Sequence, residues 1–493
     1  MRIIKNLEKS VDFWFLMIFL TVFFFLRLPS LFEPYWYGDE GIYQTIGLAL
    51  NRGALLYRDI WDNKPPLLYF LYSIFGSEQF TLRLLSLLFG LAAIVVFLAL
   101  SKKLLNKPLL YRASTVVFTV LFGLPLIEGN IANAENFMVP LAIFSAYSLI
   151  LFLKSKQKNL ALLFLSGVLL GISVLFKIVA IFDFGAFFVF LFILDFPEKL
   201  SPKSFIKNLA DKLGKLTIFS LAFLLPFLMS LFYSLINHIL SLYLNSVFFS
   251  NVDYVGYGNK FIIPQGLLLF KIFLMTTVLL IIFFKRKGVR FPAYLFITIW
   301  AAFSLFNSFF SQRPYPHYVL VLLPAFCLFF GSIFLYNKLS RILATIFIIS
   351  LGVILHYFSL DQKNVGYYEN FINFVFDSKA VARYQSFFDG NTPRDYEISS
   401  FIKSKARKED NVFVWGNNAQ IYKLTDKTPP GKYTTLYHIV QYSDGLTNTK
   451  EALYKKTPKF IIVMPSNYPY PFSLYNYKNR IIIEGAVIYE RGV

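Results

Sequence analysis

The chain has 493 residues, of which 56% are hydrophobic and only 15% are charged. Soluble domains carry roughly 25% charged residues, so this composition excludes an ordinary soluble enzyme and indicates a polytopic membrane protein. The net charge of +20 does not indicate a nucleic-acid partner, because the basic residues gather in short loops between apolar segments. The single cysteine, Cys327, excludes a disulfide framework and a zinc-binding cysteine motif.

Apolar segments long enough to cross roughly 30 Å of hydrocarbon recur along the chain. With the N-terminus in the cytoplasm, the cytoplasmic loops hold 21 Lys and Arg residues and the opposite loops hold six, which fixes the orientation. The first span lacks a small-residue cleavage site, so we expect it to be retained. The segments predict eleven transmembrane helices, which lie at about 11–28, 83–101, 113–129, 137–153, 159–176, 179–194, 216–236, 265–284, 291–310, 317–336 and 341–358.

The last part of the chain is more polar and carries short strand patterns. "NVFVW" (411–415) and "KFIIVMP" (459–465) each predict a strand, and "RIIIEGAVIYERG" predicts two strands joined at Glu484 and Gly485. Thr392 predicts the N-cap of a helix that precedes them. The predicted domains are a transmembrane domain at 1–359 with an enlarged first outer loop at about 29–82, and a small extracytoplasmic α/β domain at 360–493.

The first outer loop concentrates charge between two apolar spans. The stretch "YGDEGIYQTIGLALNRGALLYRDIWDNKPP" (37–66) holds four carboxylates and three basic side chains. Apolar residues at helical spacing follow Asp39 and Glu40, and they predict a short amphipathic helix lying along the membrane interface. Two prolines after Lys64 predict the first turn of a second helix.

The residue types alone leave two interpretations of this loop open. Asp39 either caps a helix or performs chemistry, and Lys64 either extends toward lipid headgroups or binds a ligand. Ionisable residues at membrane depth are costly and mark functional paths, and several more occur at the predicted outer face. These residues are Glu128, Glu135, Lys177, Arg313 and His317.

Four further acids receive simpler predictions. Asp59 and Asp62 are predicted to be structural, either orienting Lys64 or pairing with Arg58. Asp183 is expected to pair with Lys177 near the outer end of the sixth span, and Glu128 is expected to be a solvated loop acid.

Several motifs carry a family resemblance. "GDEGIYQTIGLAL" and "YRDIWDNKPPLLYF" resemble the first outer loop of GT-C glycosyltransferases, in particular the bacterial branch related to protein O-mannosyltransferases and the lipid A aminoarabinose transferase. "ANAENFMVPLA", "LGISVLFK", "RPYPHYVLVLLPAF" and "VFVWGNNAQIYKLTDKTPPGKY" match further parts of that pattern in the expected order. The resemblance implies a GT-C membrane fold in the bacterial cytoplasmic membrane. It also implies transfer of a sugar from a polyprenyl-phosphate donor to a hydroxyl of a protein, lipid or cell-envelope glycan.

The resemblance also implies roles for single residues. Asp39 corresponds to the first-loop carboxylate that accepts the acceptor's proton, with Glu40 and Glu135 as further catalytic acids; if the enzyme uses a divalent cation, these three acids are its ligands. No other cofactor is implied. The donor phosphate is expected to meet Lys64 first, with Lys177, Arg313, His317 and Arg58 as further candidates.

Two other classes of protein share some of these features. A transporter or flippase of polyprenyl-linked sugars would also have many spans and intramembrane charges, but transporters tend to show inverted repeats and broken helices. A catalytically silent member of the family would use its outer domain for binding alone. The gathering of charge at the outer interface and the enlarged first loop favour surface chemistry.

Overall fold

The chain folds into two compact units. The computed structural model describes residues 2–194, 202–263, 265–285, 292–313, 315–333, 342, 345, 349, 360–376 and 380–492. The helical unit comprises Met1–Leu28, Leu85–Leu235 and Phe249–Gly366. The sheet unit comprises Pro29–Leu84, Ile236–Phe248 and Tyr367–Val493. This partition differs from the predicted division at residue 359, because the first outer loop packs with the C-terminal residues.

Helices dominate the part of the chain before residue 334. Helix α4 runs from the sheet unit into the helical unit. The bounds are α1 Arg2–Arg27, α2 Gly38–Asn51, α3 Pro66–Ile74, α4 Gln79–Leu105, α5 Pro108–Gly123, α6 Ala134–Lys154, α7 Leu160–Phe176, α8 Ile181–Ile193, α9 Pro202–Ile236, α10 Leu240–Leu244, α11 Ser250–Gly258, α12 Gly266–Lys285, α13 Pro292–Ser308 and α14 Leu323–Ile333.

Ten of these segments coincide with predicted spans. Within the described residues, six helical segments are long and apolar enough to cross a membrane, and four more are apolar but shorter. The chain is therefore an α-helical membrane protein. The eleventh predicted span, at 341–358, lies outside the described residues except at 342, 345 and 349, as do the predicted basic loops at 286–290 and 338–341.

Polar and aromatic contacts hold the helices of the helical unit together. The Ser145 hydroxyl on α6 donates to the Ser166 carbonyl on α7 at 2.8 Å. Phe184 on α8 and Phe223 on α9 stack with ring centroids 4.0 Å apart. In lipid, where apolar burial drives helix association little, such hydrogen bonds and close packing are the main sources of association energy.

A four-stranded sheet forms the centre of the sheet unit. Its strands are β1 Val412–Trp415, β2 Phe460–Val463, β3 Asn479–Ile483 and β4 Ala486–Glu490. They lie in the order β1-β2-β4-β3, with β1 parallel to β2 and the other two pairs antiparallel. The predicted hairpin between β3 and β4 is confirmed. Glu484 (φ 42°) and Gly485 (φ 81°) both adopt the left-handed backbone that such a two-residue turn requires.

Helices surround this sheet. Helix α15 runs from the helical unit into the sheet unit. The predicted helix at Thr392 is present, but its N-cap is Asn391. The helices are α15 Leu360–Phe376, α16 Val381–Ser386, α17 Thr392–Lys405, α18 Gln420–Thr425, α19 Leu436–Gln441 and α20 Gly445–Lys455.

A tryptophan of the first outer loop is part of the core beside the sheet. Trp61 is buried in a cluster with Phe413 and Trp415 of β1. Its backbone N–H donates to the Lys432 carbonyl at 2.9 Å, and its indole N–H donates to the Ser246 hydroxyl at 2.8 Å. The backbone bond ties the loop to the C-terminal residues, and the indole bond ties it to the segment 236–248 of the same unit while it gives the buried N–H the partner that it needs.

Helix α2 is buried against the start of α18. All residues from 40 to 49 are buried, so the structure differs from the predicted helix lying along a membrane interface. The Thr45 hydroxyl donates to the Ala419 carbonyl at 3.0 Å. At Gly41, a Cβ atom would lie 2.7 Å from the backbone nitrogen of Gln420, so only glycine permits this approach.

We therefore expect Gly41→Ala to destabilise the protein by about 1–3 kcal/mol, because the added methyl group must push α2 away from Gln420. Thermal unfolding of the purified protein in detergent measures the effect. Gly38→Ala is the matched control on the same helix, since a Cβ there meets no atom within 4 Å. Equal melting temperatures for the two variants would contradict the close approach.

Candidate active site

Asp39 lies in the first turn of α2 and is partly open to solvent. Its side chain is 33% exposed. The Tyr43 hydroxyl, one turn along the helix, donates to its Oδ2 at 3.0 Å. The Lys64 ammonium lies 3.8 Å from the same oxygen, which is longer than a hydrogen bond. A carboxylate held from one side and accessible from another can accept a proton from a bound hydroxyl.

Lys64 lies between two carboxylates. Its Nζ is 3.8 Å from Asp39 Oδ2 and 3.6 Å from Asp62 Oδ2, and it lies 4.9 Å from the centre of the Tyr43 ring. The side chain is 18% exposed. This arrangement confirms the predicted option in which Asp62 orients Lys64.

Asp62 is the buried anchor of this group. Its side chain is 1% exposed, and the Tyr69 hydroxyl donates to its Oδ2 at 2.6 Å. The backbone N–H of Asn63 donates to Oδ1 at 2.8 Å. Because two hydrogen bonds and a cation compensate this buried carboxylate, it has a fixed orientation from which it can hold Lys64.

A histidine that the sequence did not single out also faces Asp62. His438, on α19, is 3% exposed, and its Nε2 lies 3.7 Å from Asp62 Oδ1. Burial is the main cause that lowers the pKa of His438 to about 4, and the charge of Lys64 adds to it, while Asp62 and Asp39 act in the opposite direction. The imidazole is therefore neutral at neutral pH.

Arg58 is engaged by its neighbour in the chain. Its Nε donates to Asp59 Oδ1 at 2.9 Å and its Nη2 donates to Asp59 Oδ2 at 2.8 Å. The arginine side chain is 57% exposed, and its hydrogen bond lowers the pKa of the Asp59 carboxyl. This is the predicted pairing of Asp59.

Glu40 lies in a buried ion-pair network and not in an open site. Both of its carboxylate oxygens accept hydrogen bonds from Arg83, at 3.0 and 2.5 Å. Nη1 of Arg83 lies 2.7 Å from Glu33 Oε2, and all three side chains are buried. Glu40 was predicted as a catalytic or metal-binding acid; in the structure both of its oxygens accept hydrogen bonds from a buried arginine.

Three of the predicted residues meet within the helical unit. Glu135, in the first turn of α6, accepts a short hydrogen bond from Lys177. His317 Nε2 lies 3.9 Å from Glu135 Oε1, and the Lys177 ammonium lies 4.1 Å from the centre of the Tyr318 ring. The cluster places one carboxylate between a lysine and a histidine.

Two acids of the helical unit differ from their predictions. Glu128 was expected to be a solvated loop acid, but its Oε2 lies 2.6 Å from His317 Nδ1. Asp183 was expected to pair with Lys177. It accepts instead from the Trp300 indole at 2.7 Å, because Lys177 is paired with Glu135.

Arg313, the remaining predicted phosphate ligand, is partly buried. It lies in the segment that joins α13 to the turn containing His317.

The predicted acids form no metal site in the part of the chain that the structure describes. No group of three or more His, Cys, Asp or Glu side chains among the described residues has an arrangement that could hold a metal ion. Between Asp39 and Asp62, the Lys64 ammonium occupies the position where a cation would balance the two charges.

Comparisons with known proteins agree with this architecture. Residues 63–229 match the model of the dolichyl-phosphate-mannose-protein mannosyltransferase family. The crystal structure of ArnT from Cupriavidus metallidurans bound to undecaprenyl phosphate is similar with a TM-score of 0.58, at 14% identity, over 97% of this chain and 98% of ArnT. The apo structure of the same ArnT gives a TM-score of 0.59 at 15% identity with the same coverage. No curated protein sequence matches the chain significantly. The chain thus shares the fold of the two ArnT structures.

Proposed function

We propose that this chain is a membrane glycosyltransferase. It moves a sugar from a polyprenyl-phosphate donor to a hydroxyl acceptor at the extracytoplasmic face of the bacterial cytoplasmic membrane. The observation that carries the proposal is the pair of Asp39 and Lys64, whose partly exposed carboxylate and ammonium side chains lie 3.8 Å apart. The undecaprenyl phosphate bound to the similar ArnT structure supports a lipid phosphate as the donor class.

The two side chains have complementary tasks in such a transfer. Asp39 accepts the proton of the acceptor hydroxyl while the hydroxyl oxygen forms a bond to the anomeric carbon of the sugar. The bond between that carbon and the phosphate oxygen breaks, and the electron pair leaves with the polyprenyl phosphate. Lys64 stabilises the charge that grows on this phosphate, so its contribution is larger in the transition state than in the ground state.

The cluster around Glu135 contributes less directly to this proposal. Lys177 and His317 were predicted to bind the donor phosphate, but each already faces a carboxylate, Lys177 facing Glu135 and His317 facing Glu128. Lys177 makes a hydrogen bond to its carboxylate, whereas the two carboxylates around Lys64 lie 3.8 and 3.6 Å from its ammonium, beyond hydrogen-bond distance. We therefore propose Lys64 as the main phosphate ligand and keep Lys177, His317 and Arg313 as secondary candidates. Glu135 remains the candidate for positioning the acceptor.

A transfer assay tests the proposal against its alternatives. Purified protein in liposomes is given radiolabelled polyprenyl-phosphate sugars, with cell-envelope lipids, glycans or peptides as acceptors. A glycosyltransferase breaks the bond between sugar and phosphate in a reaction that depends on Asp39. Movement of the intact donor across the bilayer would identify a flippase, and binding without either event would identify a silent member.

Lys64→Met should raise the KM for the donor by roughly 10- to 100-fold, because a hydrogen bond to a charged group contributes about 1.5–3 kcal/mol. Initial rates at varied donor concentration measure the change. Lys455→Met is the matched control, because Lys455 is 75% exposed and pairs only loosely with Glu451. An unchanged KM in the Lys64 variant would remove Lys64 from the phosphate site.

A further inference from the structure

The C-terminal part of the sheet unit places the ionisable side chain of His438 beside the Asp62 carboxylate. His438 and Asp62 are 376 residues apart in the chain, and their nearest side-chain atoms, Nε2 and Oδ1, are 3.7 Å apart. Both side chains are almost fully buried. Residues so far apart in sequence come together in a buried polar contact only because the loop and the C-terminal residues fold as one unit.

Aromatic rings hold the imidazole in place. The Trp61 ring meets His438 edge-on at a centroid distance of 5.0 Å, and the Tyr437 ring lies 4.1 Å away. Tyr433 and Tyr442 lie at 6.4 and 6.1 Å. This environment has little room for ring rotation, so the orientation of Nε2 toward Asp62 is set by packing.

The tautomer follows from the partners of the two ring nitrogens. Nδ1 is buried and has no hydrogen-bond partner among the described residues. A buried N–H is better placed 3.7 Å from a carboxylate oxygen than beside no polar partner, so the proton belongs on Nε2, on the side of the Asp62 carboxylate. The neutral imidazole then offers Asp62 a dipole without competing with Lys64 as a second full charge.

We propose that His438 is a positioning residue that holds Asp62 in its orientation and, through Asp62, keeps the Lys64 ammonium directed at the donor phosphate. This inference rests on the proposed function, because it assigns His438 to the phosphate side of that same site. It gives the C-terminal residues a part in donor binding, beyond covering the site or docking an acceptor.

The chain of contacts has three links. His438 faces Oδ1 of Asp62, and the Asn63 backbone N–H holds the same oxygen. Oδ2 of Asp62 then faces Lys64 at 3.6 Å. If the dipole at Oδ1 is lost, the carboxylate keeps its hydrogen bonds from Tyr69 and Asn63 but loses a third group that restrains its χ2 angle. The position of the ammonium then becomes less defined.

Two neutral amides of different length separate positioning from packing. In His438→Gln, the amide N–H₂ reaches roughly the position of Nε2, whereas in His438→Asn it stops near the position of Nδ1. The probe is radiolabelled undecaprenyl phosphate, without a sugar, binding to the full-length protein in detergent. We expect the Kd to stay within about threefold of wild type for Gln and to rise about tenfold for Asn.

Two further measurements establish the route of the effect. In an Asp62→Asn background, the difference between the Gln and Asn variants should disappear, because the partner of the amide has been neutralised. Tyr433→Phe is the matched control. It removes a hydrogen bond from Tyr433 to Asp444 at 2.6 Å in the same aromatic surroundings but has no contact with Asp62. Its Kd should equal that of wild type.

The outcomes distinguish this inference from the proposed function. Equal Kd values for the Gln and Asn variants, whether both normal or both weakened, would overturn the positioning role, and so would loss of folding in both. Failure of the wild-type protein to bind undecaprenyl phosphate would overturn the proposed function and this inference together. If the Kd values follow the expected pattern but no sugar is transferred, His438 still positions Asp62 for phosphate binding. Only the proposed glycosyl transfer would then be refuted.

Discussion

Asp39→Asn should lower kcat for sugar transfer by roughly 10²–10⁴-fold, the usual contribution of a general base. The amide keeps the size of the side chain and can still contact Tyr43 and Lys64, but it cannot accept the proton of the acceptor hydroxyl. The KM for the donor should change little, because the proposed phosphate ligand is Lys64. Steady-state rates with a radiolabelled polyprenyl-phosphate sugar measure both quantities.

Asp59→Asn is the matched control for this prediction. Asp59 lies on the same loop and is also a partly exposed aspartate, but its partner is Arg58. Loss of that exposed pair should cost at most about 1 kcal/mol of stability and leave transfer unchanged. Wild-type turnover in Asp39→Asn, or an equal loss in both variants, would show that Asp39 is not the base.

The helices and strands were predictable because their signals are local. An apolar run of spanning length predicts a membrane helix wherever it occurs. Most helix bounds agree to within several residues, but α1 and α9 begin well before their predicted spans, at Arg2 and Pro202. The hairpin at Glu484 and Gly485 follows from a turn sequence between two β-branched runs. The charged loop was also identified from local evidence, since its acids and Lys64 interrupt an apolar chain.

The contacts that define the candidate site were less predictable because they are distant in sequence. Trp61 is buried among residues of β1, so the first outer loop packs with the C-terminal residues. No periodic pattern in the loop sequence predicts this contact. His438 lies in "TTLYHIV", a stretch without a charge pattern. A single histidine in such a stretch is typical of a core residue, so the sequence does not predict a functional role for it. Glu40 stands next to Asp39 in sequence, but helical geometry turns neighbouring side chains about 100° apart, so the two acids have different surroundings.

Arg83 holds Glu40 in a buried structural contact. Among the variants considered, replacement of Arg83 should lower the free energy of unfolding most. The guanidinium is fully buried, and it bonds Glu40 through two nitrogens and Glu33 through Nη1. The Tyr367 hydroxyl donates to Glu33 at 2.6 Å, which extends the network to the C-terminal residues of the sheet unit. Arg83→Met leaves two carboxylates in a buried environment without their cation, and it should cost about 3–5 kcal/mol.

The charge origin of that loss can be tested directly. Adding Glu40→Gln and Glu33→Gln to Arg83→Met removes the stranded charges, so the triple variant should recover much of the stability that the single variant loses. Arg58→Met serves as the control, because its exposed pair with Asp59 should contribute at most about 1 kcal/mol. Thermal unfolding in detergent ranks the variants. If the triple variant were no more stable than Arg83→Met, the loss would come from packing around the arginine stem. The ion pairs between α2 and α4 would then not be the source of the stability.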